Sequence, residues 1–151
     1  MSAIATFNVL HRSDLDDLVR ADDADALMTA IRKHGRRVHD DYGWSGYCML
    51  YLLEYLDERG AYLGAPELDA DTESLSELLS YAVLITAEQK SFLPDLDPAN
   101  HALEEIAAYF DDMGYGFEDE ELTAAIDESM AVLSDSIAGL DEDEVLLIVI
   151  G

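Results

Sequence analysis

The stretch EVLLIVI, residues 144–150, decides the fold. Its six consecutive apolar residues, Val145 to Ile150, follow the acidic run DEDE at 141–144. A short run that is apolar at every position predicts a β-strand buried on both faces. Such a strand requires a neighbour along each edge, because an exposed apolar edge invites aggregation.

Several segments can supply these two neighbours. The β-friendly segment AIATFNVLH predicts a strand at about residues 3–10 and can supply one. The second neighbour is open. The run YAVLIT at 81–86 is one option, although periodicity does not separate a buried strand from a helix end in so short a run. The other options are a segment whose pattern looks helical, or a second copy of the chain in a homodimer formed through the C-terminal strand.

The segment GWSGYCMLYLLEYLDERG at 43–60 predicts the most apolar helix of the chain. Ser45 is its expected N-cap, and Gly60 lies just past its end. From Tyr47 to Leu56 only Glu54 is charged. A helix that is apolar nearly all round belongs in the centre of a core.

Capping residues and apolar periodicity predict the other helices. Their expected starts are Ser13 with Asp16 in a capping box, Asp22 or Asp23, Thr72 or Ser74, Asp97 followed by Pro98, and Phe117 followed by the acidic run at 118–121. The helix after Asp97 should carry an apolar stripe from Leu103 to Met113, and the last helix should turn Leu122, Ile126 and Leu133 inward.

Together these elements predict the α+β class. We expect one mostly α-helical domain over residues 1–151, with a small sheet that contains the N-terminal and C-terminal strands. A chain of 151 residues is long enough to bury a core without disulfides or metals, and its hydrophobic content of 50% argues against disorder.

The charge is large and uneven. The net charge is -26, and residues 61–151 hold twenty-three acids against one base, Lys90, whereas residues 1–60 hold eleven acids and seven bases. Such a chain repels nucleic acid and anionic membranes, because binding phosphates requires cations. Its acids keep it soluble, adapt it to high salt, or recognise a basic partner. Salt adaptation should act on both halves, so the asymmetry counts against it.

The main hypothesis is a non-enzymatic interaction protein whose acidic face binds a basic protein. An immunity protein or antitoxin that covers a toxin's cationic active site has these properties, as does a nucleic-acid mimic. The expected contact residues surround the turn at 113–117. They are Asp111, Asp112, Glu118, Asp119, Glu120 and Glu121, with Tyr115 and Phe117 as exposed aromatic anchors.

The stretch RKHGRR at 32–37 holds four of the eight Lys and Arg residues and allows two interpretations. One is a site for a small phosphate or carboxylate, used by an enzyme or a binding domain and formed by Arg32, Lys33, Arg36, Arg37 and His39. The other is internal counter-charge, in which Arg36 and Arg37 pair with residues 40–41 or with acids of the C-terminal helices. The excess of acids elsewhere favours the second.

No catalytic residue, metal or cofactor is predicted. The acidic stretches at 95–106 and 111–122 lack the ligand spacing of a calcium loop. The stretch GWSGY places its second glycine one residue too early for a nucleophile elbow, so Ser45 is expected to cap a helix. Cys48 falls inside the apolar helix, where a buried, inert thiol is expected.

The expected location is the cytoplasm. The N-terminus has no basic region ahead of an apolar run, and no stretch reaches the roughly 18 apolar residues of a membrane span. The single cysteine excludes an internal disulfide and fits a reducing compartment. We therefore expect a soluble protein that contacts neither membranes nor nucleic acid.

Overall fold

The computed structural model describes residues 3–117 and 119–151, with Asp119 described by its backbone alone. The β-strands are β1 Ala5–His11, β2 Arg36–Val38, β3 Ala82–Thr86 and β4 Glu144–Ile150. The α-helices are α1 Leu15–Val19, α2 Ala24–His34, α3 Gly46–Glu58, α4 Asp69–Leu78, α5 Leu103–Asp112 and α6 Asp119–Ala138. Segments of 3-10 helix lie at Arg12–Asp14, Pro66–Leu68, Ala87–Leu96 and Pro98–Asn100.

A four-stranded antiparallel sheet forms the centre of the fold, in the order β2–β1–β4–β3. Strand β4 pairs with β1 from Ala5 opposite Ile150 to His11 opposite Glu144, and it pairs with β3 along its other edge. The prediction of a central C-terminal strand is confirmed, and the open choice at 81–86 is resolved as a strand. Because both edges of β4 are paired within the chain, this strand has no free edge over residues 145–149 through which a homodimer could form.

Helices cover both faces of the sheet. On one face Leu146, Ile148 and Ile150 belong to a core shared with α3, α5 and α6. On the other face Val145 and Leu147 belong to a core shared with α1, α2 and α4. All five side chains are at most 2% exposed, as expected for a strand buried on both faces. The predicted α+β class, mostly helical with both terminal strands in one small sheet, is confirmed.

Helix α3 lies in the first of these cores, as its apolar sequence predicts. The Ser45 hydroxyl accepts a hydrogen bond from the Tyr47 N–H at 3.2 Å, so Ser45 is the N-cap. Gly60 follows the helix with a φ of 89°, a conformation that glycine adopts without strain. Leu52 and Leu56 are fully buried. Both ends of this helix are therefore predicted correctly.

The first predicted helix begins differently. Ser13 lies inside a 3-10 turn, and α1 begins at Leu15 without a side-chain cap, so the predicted capping box with Asp16 is wrong. The reason lies in the sheet. The Arg12 N–H donates to the Asp143 carbonyl at 2.7 Å, so backbone pairing beside β4 continues until the chain turns directly into the helix.

The predicted start of α4 is also wrong. The helix begins at Asp69, directly after the 3-10 turn Pro66–Leu68, and Thr72 and Ser74 lie inside it. The Ser74 hydroxyl donates to the Ala70 carbonyl at 3.1 Å and so satisfies a helical carbonyl instead of capping a terminus.

The helix predicted to start after Asp97 is interrupted. The Asp97 carboxylate accepts from the Ala99 N–H at 3.0 Å and caps only a 3-10 turn. His101 is then held in an extended conformation, because its Nε2 lies 2.6 Å from the Asp95 carbonyl and its Nδ1 lies 3.1 Å from the Tyr55 hydroxyl. Helix α5 therefore begins two residues later.

Strand β2 is shorter than a typical strand, and its Arg-Arg-Val sequence has little strand character. Its three residues pair with β1, with Val38 opposite Phe7 and Arg36 opposite Val9. Pairing with a long, buried strand overrides a local sequence with little strand character. Helix α2 ends at its C-cap Gly35, directly before β2.

Candidate functional site

Four acids predicted to contact a partner are exposed where α5 ends and α6 begins, and they are Asp111, Asp112, Glu120 and Glu121. None of the four forms an ion pair with a residue that the structure describes. Two further predicted contacts, Glu118 and the side chain of Asp119, lie outside the described residues. These four carboxylates therefore present unneutralised negative charge near the α5–α6 turn.

Tyr115 and Phe117 are half-buried, so the prediction that they are exposed anchors is wrong. Their ring centroids lie 4.8 Å apart, and each ring also packs against Phe110, at 6.2 and 5.9 Å. Tyr51 and Trp44 complete this aromatic cluster, with centroid distances of 5.9 Å to Tyr115 and 6.1 Å to Phe117. The two aromatic residues hold the turn against the core.

An apolar groove lies between α5 and α6. Its lining includes the apolar side chains of Leu103, Ala107 and Leu122 and the exposed acids Glu104 and Glu120, and its volume is about 360 Å³. Leu103 and, at the other end of α5, Met113 are each 40% exposed, although the sequence predicts both in the buried stripe. The prediction fails because only Ile106 and Phe110, in the middle of the stripe, are buried in the core that α5 shares with α3. We call the groove together with Asp111, Asp112 and Glu121 the acidic face.

One acid of α5 beside this face, Glu105, is neutralised. Arg59 forms an ion pair with Glu105, and its guanidinium lies 4.9 Å from the centre of the Tyr55 ring. Glu104 and Glu120, which border the groove, have no cationic partner in the described part of the chain. The groove therefore joins exposed apolar surface to unpaired carboxylates.

Arg36 and Arg37 point to opposite faces of the sheet, as successive strand residues do. The Arg36 Nη2 lies 3.9 Å from the Glu144 Oε2, so this arginine has the predicted internal counter-charge, although on β4 and not on a C-terminal helix. Arg37 lies opposite Asn8 of β1 and forms no ion pair with the described residues, those at 40–41 included. The predicted cationic patch is therefore divided by the sheet.

A second cavity, with a volume of about 300 Å³, lies between α2 and the sheet and is lined by Asn8, Met28, Ile31, Arg32, Gly35 and Arg37. We call it the arginine pocket. It brings together Arg32 and Arg37 of the predicted anion site and adds Asn8, which the sequence did not reveal. The only sign of this role in the sequence is that Asn8 is a polar residue at an inward-facing position of the strand predicted at about residues 3–10.

The remaining residues of the predicted anion site lie elsewhere. Lys33 is exposed, and the His39 ring packs on the opposite face of the sheet, at 6.4 Å from the ring of Phe7. His34 points back to α1, where its Nε2 lies 3.0 Å from the Asp17 carboxylate. The five-residue patch predicted from the sequence is thus reduced to two arginines that share a cavity.

Cys48, Ser129 and Tyr42 form a buried polar cluster. The Tyr42 hydroxyl lies 2.8 Å from the Ser129 Oγ, and the Cys48 Sγ lies 3.8 Å from the same atom. Burial raises the pKa of the Cys48 thiol and of the Tyr42 hydroxyl, so both stay protonated at neutral pH. Ser129 and Cys48 are fully buried, and this cluster is therefore structural.

Membrane-spanning helices and metal-ligand clusters are absent from the described ranges. Within them no helix is long and apolar enough to span a bilayer, and no group of three or more His, Cys, Asp or Glu side chains is placed to hold a metal ion. No protein-family model matches the chain, and neither a curated protein nor a solved structure shows significant similarity to it. The acidic face and the arginine pocket are the two places where residues predicted to bind a partner or an anion lie together.

Proposed function

We propose that this chain is a non-enzymatic interaction protein that binds a basic protein through the acidic face. The observation that carries the proposal is the groove between α5 and α6, where exposed Leu103 lies beside the carboxylates of Glu104 and Glu120. A partner that matches this surface presents Lys or Arg side chains around an apolar side chain.

Charge and apolar contact have different roles in such a complex. Unpaired carboxylates on the acidic face steer a cationic surface into place and speed association. Affinity comes mainly from a few apolar anchors in a desolvated pocket. Leu103, which is 40% exposed and lines the groove, supplies that apolar surface, a role that the sequence assigned to Tyr115 and Phe117.

The groove also favours recognition over the two alternative explanations of the acidic charge. Carboxylates that serve only solubility or salt tolerance need no apolar groove between them. Exposed apolar side chains rimmed by polar residues mark interaction surfaces more often than plain solvent-facing surface. An immunity protein, an antitoxin or a nucleic-acid mimic is the kind of protein whose partner offers the required cationic surface.

The test compares two variants that lose the same charge at different places. The site variant carries Asp111→Asn, Asp112→Asn, Glu120→Gln and Glu121→Gln. The control variant carries Asp16→Asn, Asp22→Asn, Glu73→Gln and Glu77→Gln, all at exposed positions of the α1, α2 and α4 side. A third variant, Leu103→Ser, keeps every charge. Each is used as bait in the native cell lysate at low and at moderate salt, and the dissociation constant of any retained protein is then measured.

The expected result is one basic protein that the parent and the control variant retain at moderate salt and the site variant does not. Leu103→Ser should weaken its binding about tenfold, as expected for loss of one apolar anchor. If the site and control variants lose binding equally, binding depends on the overall negative charge of the protein and not on the acidic face, and the proposal is wrong. A protein retained at low salt only would support an acidic surface that serves solubility.

A further inference from the structure

We infer that the arginine pocket binds a small molecule through an oxyanion group, a phosphate or a carboxylate. Arg32, Arg37 and Asn8 are the residues that hold it. This site is separate from the acidic face, since it lies between α2 and the sheet, and it does not depend on the function proposed above.

Asn8 is the first observation. It lies in β1, is only 5% exposed, and lines the cavity. Its side-chain amide forms no hydrogen bond with any residue in the described part of the chain. Its neighbours on the same face of β1 and β4 include Leu10 and Leu147 of the apolar core. With no partner in the protein, the polar atoms of this amide are left facing the cavity, where a ligand can form hydrogen bonds with them.

The two arginines are the second observation. Arg32 comes from the last turn of α2 and Arg37 from β2, and both line the same cavity. Neither forms an ion pair with the described residues, although the chain has thirty-four acids for eight bases. Two unpaired guanidinium groups repel each other, and an oxyanion between them accepts hydrogen bonds from both.

The shape of the pocket depends on Gly35. A Cβ at this position would lie 2.7 Å from the Ile31 carbonyl oxygen and 3.2 Å from the Asn8 Oδ1. Any larger residue would therefore push the end of α2 away from β1 or displace the Asn8 side chain. Glycine lets the helix end approach the strand so that Asn8 and both arginines share one cavity.

Size and charge restrict the ligand. A volume of about 300 Å³ is at the lower limit of ligand pockets. The side chains of Met28 and Ile31 add apolar lining beside the arginines. The strongly negative surface elsewhere repels polyanions such as nucleic acid. The ligand is therefore a small molecule with one anionic group and a short apolar part.

The experiment titrates the whole protein with inorganic phosphate and, separately, with butyrate, at constant ionic strength. Binding is followed by NMR at the side-chain amide of Asn8 and the Nε–H of Arg37. Saturable shifts at these groups are expected with at least one probe, and the tighter probe identifies the oxyanion as phosphate or carboxylate. No saturable shift with either probe would overturn the proposal.

Arg37→Gln and Arg36→Gln form a matched pair, because they remove the same charge from adjacent residues on opposite faces of β2. Arg37→Gln should weaken binding about tenfold or more, as expected for loss of charge-assisted hydrogen bonds. Arg36→Gln should change the dissociation constant less than about twofold, since its side chain does not line the pocket. Equal effects of the two substitutions would show a general response to charge and would also overturn the proposal.

Asn8→Leu tests the buried amide. The substitution should abolish saturable binding and raise the melting temperature of the free protein, because an amide without a partner is replaced by an apolar side chain of similar size. A lower melting temperature would show that the amide supports the fold, and unchanged binding would show that it does not contact the ligand. Either result contradicts the assigned role.

Discussion

The Tyr42 hydroxyl lies 2.8 Å from the Ser129 Oγ, and this hydrogen bond joins the loop after β2 to the middle of α6. Ser129 is fully buried, and its other polar neighbour among the described side chains is the Cys48 thiol at 3.8 Å. The Tyr42 ring also meets the edge of the Phe7 ring at 5.7 Å, so the same residue contacts β1. Tyr42 therefore connects the sheet to the helix that covers it.

Tyr42→Phe should lower the free energy of unfolding by about 1–2 kcal/mol. The phenylalanine keeps the ring contact with Phe7 but leaves the Ser129 hydroxyl buried without a good partner. Denaturant unfolding measures the difference, and Tyr47→Phe is the control. The Tyr47 hydroxyl forms no hydrogen bond with the described residues, so its loss should change stability by less than about 0.5 kcal/mol.

A double variant tests the cause of this loss. Replacing both partners of a buried hydrogen bond by apolar groups is close to neutral, because no polar group remains unsatisfied. Tyr42→Phe combined with Ser129→Ala should therefore be more stable than the sum of the two single effects predicts. Additive losses would mean that the hydrogen bond does not contribute and that packing explains the effect of each substitution.

Gly46→Ala should destabilise the protein by about 1–3 kcal/mol, as expected for overpacking in a core. A Cβ at Gly46 would lie 2.9 Å from the Ile150 Cγ2 and 3.0 Å from the backbone of Ala3. The nearby Gly43 is the control, because a Cβ there would meet only the Asp41 carbonyl oxygen at 3.9 Å. Thermal unfolding of both variants measures the difference, and equal melting temperatures would contradict close packing of α3 on the sheet.

Stability should fall in the alkaline range, partly because of Tyr81. Burial raises the pKa of Tyr81 from 10.0 to about 12, and the negative charges of Tyr62, Glu54 and Asp57 contribute to this rise. The unfolded chain loses this proton first, so the contribution of Tyr81 to stability is complete below about pH 10 and falls as the pH rises towards about 12.

Denaturant midpoints from pH 8 to pH 11.5 test this dependence. Tyr81→Phe removes the group, so its midpoint should fall less steeply above about pH 10 than that of the parent. Some fall should remain, because burial also raises the pKa of Tyr42. Identical slopes for the parent and the variant would show that Tyr81 ionises equally in the folded and unfolded chain.

Added potassium chloride should raise the melting temperature, because thirty-four acids repel one another with only eight bases to offset them. The Debye length falls to roughly 6 Å at about 0.3 M salt, so most of the gain is expected below that concentration. A melting temperature that continues to rise to molar salt would support salt adaptation and weaken the proposed recognition of a basic partner.

The sheet could be predicted largely from local sequence. Six apolar residues in β4 leave little choice but a strand buried on both faces. Its requirement for two neighbours pointed to β1, but left residues 81–86 as only one of three options for the second neighbour. Strand β2 could not be found in this way, because its Arg-Arg-Val sequence owes its conformation to pairing with β1. Helix starts failed where tertiary contacts decided them, as at His101, whose ring is held by Tyr55 and Asp95.

The candidate sites, too, could be predicted only in part from the sequence. Counting charges along the chain is sufficient to find the excess of acids after Lys90. The exposure of Leu103 depends on how α5 packs against α6, and no periodicity shows which part of an apolar stripe remains uncovered. The place of Asn8 beside Arg32 and Arg37 depends on sheet register and on the approach of α2, so only three-dimensional structure reveals it.

The position of β4 has a consequence for the order in which the protein is made. Strands β1 and β3 do not pair with each other, and each pairs with β4 instead. Strand β4 follows the other three strands along the chain. A nascent chain on the ribosome therefore carries two open strand edges until residues 144–150 emerge. This sheet therefore closes only after its other three strands have been synthesised, and until then the open edges of β1 and β3 can pair with other chains.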